Sequence, residues 1–515
     1  MGLAAYFRLV RAGYVLSREG AFSIFDGIEL PPALSFGMRM ARIFERPSVR
    51  RTGRVERLTR GLNRLGPTYV KFGQTLATRP DIVGLEAARE LSALQDRMEP
   101  FDGALVPGIL TESLGAEAAD ITELSPPVAA ASIAQVHSAK LRTTGERVAV
   151  KVLRPGVEAR FLADIESYYA GARLVERLLP ATRRLRPTDV VATLDRSARL
   201  ELDLRLEAAA MSEFAGNIKE DTGFAVPRIS WDHTARNVLT TSWVDAIPIR
   251  EIAAIDAAGI DRRVLARNLL QNFLRHAIRD GFFHADMHPG NLFADPRTNG
   301  VIAVDFGIMG RITKRERRFL ADILYGFISR DYRMIARRHF DIGYVPEHQS
   351  VDDFSLAIRS IGEPLHGRIA ADISMGKVLG QLFAITELFD MQTRPELVLL
   401  QKSMVLVEGV ARTLDPDLDI WTVAEPVVGD WIRREAGPIG RLEDLAEHAA
   451  TAIEAAGRLP AILRDAEHVL AELRLRRPRR GLIPGWMALT LGTLGIAALA
   501  TLTLLALRLL LAGPG

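Results

Sequence analysis

His284-Ala285-Asp286-Met287-His288-Pro289-Gly290-Asn291 places an aspartate five residues ahead of an asparagine, with a Pro-Gly pair between them. Phosphoryl chemistry needs both residue types in one tight loop. Asp286 orients or deprotonates an attacking hydroxyl or water, and Asn291 offers a neutral oxygen to a metal held between phosphates. The plainer alternative is an Asp and an Asn that merely cap a turn. His284 and His288 stand four apart, but Pro289-Gly290 breaks any helix that would set them on one face, which favours structural histidines over a metal pair.

Two elements outside the loop give it context. Asp305-Phe306-Gly307 follows 19 residues after Asp286, just past the apolar run 301–304, and supplies the second metal carboxylate of the protein-kinase set. Mg²⁺ takes hard oxygen ligands and keeps waters, a demand that Asn291, Asp305 and triphosphate oxygens satisfy together. Upstream, residues 128–141, the turn Thr143-Thr144-Gly145-Glu146 and residues 147–153 read as a hairpin. Val148-Ala149-Val150-Lys151 ends it with a lysine placed as kinases place the ammonium that meets the α and β phosphates. A strand lysine alone is more often a solvated edge charge.

The partner of Lys151 should be a helical glutamate. Glu207 is the first choice because it shares a helix face with Asp203, four residues earlier, and Glu201 is the alternative. Residues 200–206 alternate with period two, a strand-like pattern, yet they are helix formers with no β-branched member, so helix is expected. Residues 238–244 read as a short buried strand whose last residue, Val244, joins the nucleotide contacts.

Composition excludes several classes. With 66 Lys+Arg against 63 Asp+Glu the formal charge is +3, too small over 515 residues to suggest a nucleic-acid binder. No cysteine is present, which removes disulfides, thiolate metal sites and thiol nucleophiles. Residues 1–25 interleave Arg8, Arg11 and Arg18 with apolar residues and do not read as a secretory signal. Residues 482–507 carry no charge over 26 positions, as a helix roughly 39 Å, which predicts one membrane-spanning segment. Arg474, Arg476, Arg477, Arg479 and Arg480 precede it and orient the catalytic part towards the cytoplasm.

Two departures from conventional kinases stand out. Val128-Ala129-Ala130-Ala131-Ser132 occupies the place of the glycine-rich phosphate loop, and each Cβ restricts positive φ and holds the backbone farther from a phosphate. After Gly307 the chain passes straight to Arg311, Lys314 and a helix without an Ala-Pro-Glu motif, which argues against protein substrates.

With these features the chain resembles the UbiB family of atypical kinase-like proteins, relatives of the mitochondrial ADCK proteins. The likeness rests on Lys71-Phe72-Gly73-Gln74, the alanine-rich loop, Lys151, Glu201-Leu202-Asp203 and the two acidic motifs. It implies that the helix of Lys71 and Gln74 lies over the nucleotide pocket and contacts the Glu201–Asp203 segment, giving Lys71 and Gln74 catalytic roles beside Lys151 and Asp286. It further implies ATP with Mg²⁺ as cofactors, held by Ala129, Ala130, Ala131, Ser132, Lys151, Glu201, Asp203, Glu207 and Val244, with Asn291 and Asp305 on the metal.

The implied function is support of ubiquinone biosynthesis by ATP-driven handling of polyprenylated quinone precursors. The implied partners are those precursors, membrane lipids and a ubiquinone-biosynthesis complex, with no nucleic acid and with room for a homodimer. A small-molecule phosphotransferase and a nucleotide-sensing scaffold are the competing readings. The expected fold is α+β, a two-lobed protein-kinase-like fold with a helical N-terminal extension and a C-terminal transmembrane helix. The expected parts are an extension over 1–120, an N-lobe over 121–245, a C-lobe over 246–440, a linker over 441–481 and an anchor over 482–511, single-pass in the inner membrane.

Overall fold

The computed structural model describes residues 3–25, 37, 39–77, 99–178, 187–366, 385, 388–391 and 395–436. The first part is helical: α1 (Leu3–Arg18), α2 (Arg54–Leu65), α3 (Pro67–Ala77) and, further on, α4 (Val106–Leu114). Gly66, at φ +108°, ends α2, and Pro67 opens α3 at the first helical position, where a missing N–H costs nothing.

The sheet of the first lobe contains β1 (Ile121–Thr122), β2 (Pro127–Ala130), β3 (Ala134–Leu141) and β4 (Arg147–Leu153). Next come α5 (Val157–Leu178), α6 (Pro187–Glu201), α7 (Leu204–Asn217), the short β5 (Phe224–Ala225) and β6 (Val238–Ser242). All pairings in this sheet are antiparallel, in the order β1-β3-β4-β6 with β2 also on β3. Gly145, at φ +71°, closes the β3–β4 turn, a backbone shape that a side chain would strain.

Alternation along β4 decides where its lysine goes. Val148, Val150 and Val152 are buried in one cluster with Val106 and Leu110 of α4. Leu153 joins a second cluster with Leu62, Leu65, Tyr69 and Val70 of the extension, Phe161 and Ile165 of α5, and Leu194 of α6. Successive side chains on a strand face opposite ways, so Lys151 stands on the side of α7, away from α4. The helical reading of residues 200–206 needs one amendment. The helix breaks at Leu202–Asp203, because the Asp203 carboxylate accepts from Arg205 N–H and starts α7 afresh as its N-cap.

The second lobe comprises β7 (Ile247–Pro248), α8 (Ile252–Ala257), α9 (Arg262–Arg275), β8 (Phe282–His284), β9 (Leu292–Asp295), β10 (Gly300–Ala303) and β11 (Met309–Arg311). It is completed by α10 (Lys314–Ser329), α11 (Tyr332–Asp341), α12 (Val351–His366), α13 (Pro395–Leu414) and α14 (Ile420–Ala436). Its core gathers Leu265, Leu269 and Phe273 of α9 with Phe283, Leu292, Val301, Val407 and Ala411. The strands order as β5-β10-β9-β7, and β8 pairs separately with β11. The stretch after Asp305-Phe306-Gly307 is therefore a paired strand that runs into the Thr313–Glu316 capping box of α10.

The membrane expectation needs correction. The linker over 441–481 and the span over 482–511 lie outside the described residues. Among the described residues no helix is long and apolar enough to cross a membrane. The longest of them show the reason: α5 carries Glu158, Arg160, Asp164, Glu166 and Arg173, and α13 carries Glu396, Lys402, Glu408 and Arg412, charges that hydrocarbon would not accept. Among the described residues the fold is therefore two-lobed and kinase-like with no membrane-spanning helix, and the single-pass inner-membrane placement finds no support there.

Two outcomes test this packing. A Cβ on Gly310 in β11 would run into the Phe283 ring of β8, so Gly310→Ala should cost about 1–3 kcal/mol by overpacking; an unchanged thermal melt would contradict the close approach. Burial among Phe319, Tyr344 and Phe354 pushes the His339 imidazole down to about 4, and its Nδ1–H donates to Ile335 O. With the folded value below the unfolded ~6.5, the unfolded chain binds the proton first, so stability falls with acidification between roughly pH 6.5 and 4, by on the order of 3 kcal/mol at most. Melts at pH 7.5 and 5 should show a larger loss for the wild type than for His339→Leu; equal losses would contradict it.

Candidate active site

The chain places Lys151 against two carboxylates from distant segments. Its Nζ donates to Glu207 Oε1 at 2.8 Å, to Glu207 Oε2 at 2.9 Å and to Asp305 Oδ1 at 3.1 Å. Strand β4, helix α7 and the turn after β10 thus meet at one ammonium. The Glu207 side chain is 8 % exposed and that of Asp305 42 %. Burial pushes the Glu207 carboxyl upward despite the ammonium beside it, and the Asp305 charge adds to that push. Burial also acts against the Asp305 anion, but the Lys151 charge outweighs it and holds this carboxyl below its usual range. The lysine itself would be neutralised by burial were it not for the two carboxylates, which together hold it firmly protonated.

Glu201, the alternative partner, goes elsewhere. Its Oε2 lies 2.6 Å from Lys71 Nζ, and both side chains are more than nine-tenths buried. The helix α3 is thereby fastened to the end of α6. Asp203 takes a bidentate pair with Arg205, at 2.9 and 2.7 Å, instead of facing Lys71. Gln74 falls on α3, but its side chain lies outside the described residues.

The loop between β8 and β9 is stiffened by its own polar groups. Asp286 N–H donates to His284 Nδ1 at 3.1 Å, and the opposite ring nitrogen donates to Val304 O at 3.2 Å. That pair of bonds fixes a neutral imidazole protonated on Nε2, and burial lowers the tendency of the ring to take a second proton. His288 is exposed and accepts from Gly290 N–H at 3.1 Å. Each histidine holds backbone, and among the described residues no group of three His, Asp or Glu side chains is arranged to hold a metal.

Asn291 donates its amide to Asp286 O at 3.1 Å and reaches Asp286 Oδ2 at 3.4 Å. Its carbonyl oxygen is the atom left for a cation. Asp305 adopts φ +63°, a left-handed shape that a non-glycine residue keeps only when its surroundings impose it. Phe306 helps impose it: the ring is 1 % exposed, 4.9 Å from His284 and 5.2 Å from Phe214 of α7. The helix that carries Glu207 and the loop that carries Asp286 therefore pack on the same phenyl ring.

The alanine-rich segment is pinned as well. Ala129 and Ala130 end β2, Ser132 is buried, and Ala131 O accepts from the Arg154 guanidinium at 2.9 and 3.1 Å. Val244 lies half-buried in the link from β6 to β7.

Comparison with known proteins follows the same lines. The ABC1 atypical kinase-like domain matches residues 93–339, and the UbiB helical domain matches 358–419. A probable protein kinase UbiB of Marinobacter nauticus is 40 % identical over 466 residues, covering 89 % of this chain and 84 % of its own length. The chain belongs to the UbiB family of atypical kinase-like enzymes. A second UbiB, from Photobacterium profundum, is 40 % identical over 417 residues, covering 80 % and 76 %. A Mycobacterium tuberculosis protein solved in complex with erythromycin shares the fold at a TM-score of 0.50 and 23 % identity, over 69 % of this chain and 90 % of that one.

Sequence reasoning passed over Arg154, Phe306 as a packing element, and Lys402 with Ser403 on α13. The signal for the last pair was present, since Lys402 is a single cation inside the apolar run 397–407. The buried Lys71–Glu201 pair gives a direct test. Removing one partner, as in Glu201→Gln, should cost about 3–5 kcal/mol in chemical denaturation, and Lys71→Met/Glu201→Gln together should recover most of it. Additive losses would show that the two groups do not act as a pair.

Proposed function

We propose that this UbiB-family protein binds ATP with Mg²⁺ and turns it over in support of ubiquinone biosynthesis, by ATP-driven handling of polyprenylated quinone precursors. The observation that carries the nucleotide part is the ammonium of Lys151 shared between Glu207 and Asp305. Phosphate oxygens offer Lys151 a further anionic partner and compete with the more exposed Asp305 for it, while the deeper Glu207 keeps the side chain in place. That frees Asp305 to join the Asn291 carbonyl oxygen as a hard ligand pair, and both fit the donor chemistry that Mg²⁺ requires. Mg²⁺, when bound, neutralises charge between the phosphates.

The remaining chemistry falls to Asp286. With its N–H held by His284 and its oxygens reached by the Asn291 amide, Asp286 takes in this reading the role of orienting an attacking hydroxyl or water and accepting its proton. The Arg154 clamp on Ala131 holds the alanine loop in shape without glycine, and the Cβ atoms keep that backbone at a distance from phosphate. The segment after Gly307 is bound up in pairing with β8, which supports a small or lipid-like acceptor, or water, over a docked peptide. The names of the two relatives support the ubiquinone assignment.

Calorimetry with Mg-ATP and a phosphate-release assay test the site. Wild type should bind and hydrolyse ATP, while Lys151→Met and Asp305→Asn should each lose turnover by about 10²-fold or more. Equal turnover in all three would remove the nucleotide reading. For the pathway, cells lacking the protein should accumulate polyprenylated quinone precursors, and the Asp305→Asn gene should not restore quinone content. Full restoration would favour a non-catalytic scaffold.

A further inference from the structure

Lys402 is a cation that the fold brings near Asp286, without a partner among the described residues. It sits on α13, one residue before Ser403, whose fully buried hydroxyl shares its proton between Leu399 O at 2.8 Å and Ala285 O at 3.1 Å. That bond fastens this turn of the helix to the residue preceding Asp286. The Lys402 charge is attracted by Asp286 and repelled by Lys71, which sets it near both, and burial acts against keeping it charged. Among the described residues Lys402 makes no hydrogen bond and no ion pair, whereas Lys71 is tied to Glu201 and Lys151 to Glu207 and Asp305. A half-buried ammonium without a protein partner among the described residues keeps its charge against the pull of burial, and an anion arriving beside Asp286 would offset that pull.

We propose that Lys402 is a further catalytic residue, the ammonium that contacts the γ-phosphoryl oxygens while they are transferred past Asp286. The inference rests on the nucleotide reading given above and adds to it a cation that comes from the helical region instead of the catalytic loop. In the loop itself the residue two after Asp286 is His288, an exposed ring whose Nδ1 accepts from Gly290 N–H. The step balances without another reagent. The nucleophile oxygen forms a bond to the γ-phosphorus, the bond to the β,γ-bridging oxygen breaks, ADP leaves with that electron pair, and the nucleophile's proton passes to Asp286. Lys402 exchanges no proton and acts by its charge on the transferring phosphoryl oxygens.

ADP lacks the γ-phosphate, so the contact predicts a split that a packing role does not. Binding of Mg-ATP, Mg-ADP and the non-hydrolysable Mg-AMPPNP is measured by calorimetry on the full chain, with turnover by phosphate release, for wild type, Lys402→Met and Lys402→Arg. The methionine variant should lose about 10²-fold in turnover and about tenfold in affinity for AMPPNP while keeping wild-type affinity for ADP. The arginine variant should restore most of the preference for AMPPNP over ADP. Unchanged turnover in Lys402→Met, or equal losses for ADP and AMPPNP, would overturn the proposal and leave the nucleotide reading intact. Failure of the wild type to bind any of the three would overturn both.

Discussion

One ammonium shared by two carboxylates organises this molecule. Lys151 is delivered by strand alternation, Glu207 by a helix begun afresh at Asp203, and Asp305 by a turn held in a left-handed shape. The two deep members depend on each other: burial acts against the charge of both Lys151 and Glu207, and their pairing offsets it. The unequal exposure of the carboxylates gives the arrangement a direction: the deep one anchors and the shallow one can exchange partners.

A second layer of polar contacts transmits that order. His284, neutral and bonded at both nitrogens, couples the loop of Asp286 to the strand that leads into Asp305. Phe306 ties the same loop to α7 through Phe214. Ser403 ties it to α13. The loop of Asp286 is thus held from three sides by elements far apart in the chain, so its geometry depends on α7, α13 and the strand before Asp305 together.

Motif spacing made the sheet lobe, the loop of Asp286 and the Asp305 turn legible in the sequence, because each depends on local patterns: alternation, a glycine turn, a Pro-Gly break. The choice between Glu207 and Glu201 was less legible, since helix phase alone does not reveal that Asp203 restarts the helix and sends the two glutamates to different lysines. Lys402 was illegible for another reason. It stands out as the one cation among residues 397–407, but the groups that act on it come from residues 71 and 286, far away in the chain, and its place beside them shows only in the fold. The apolar run near the C-terminus invited a transmembrane reading on hydropathy alone, whereas the long helices that the structure does describe carry charge at intervals along their length.

The core shared by the first helices and the sheet lobe has a consequence for how this protein can be divided. The matched kinase-like domain begins at residue 93, yet Leu62, Leu65, Tyr69 and Val70 pack in one cluster with Phe161, Leu194 and Leu239. Cutting the gene at the boundary that sequence comparison draws would strip an oily wall from the remaining piece and leave Glu201 without its counterion. The inherited unit is larger than the recognisable one, and a minimal enzyme made from this protein has to keep its preface.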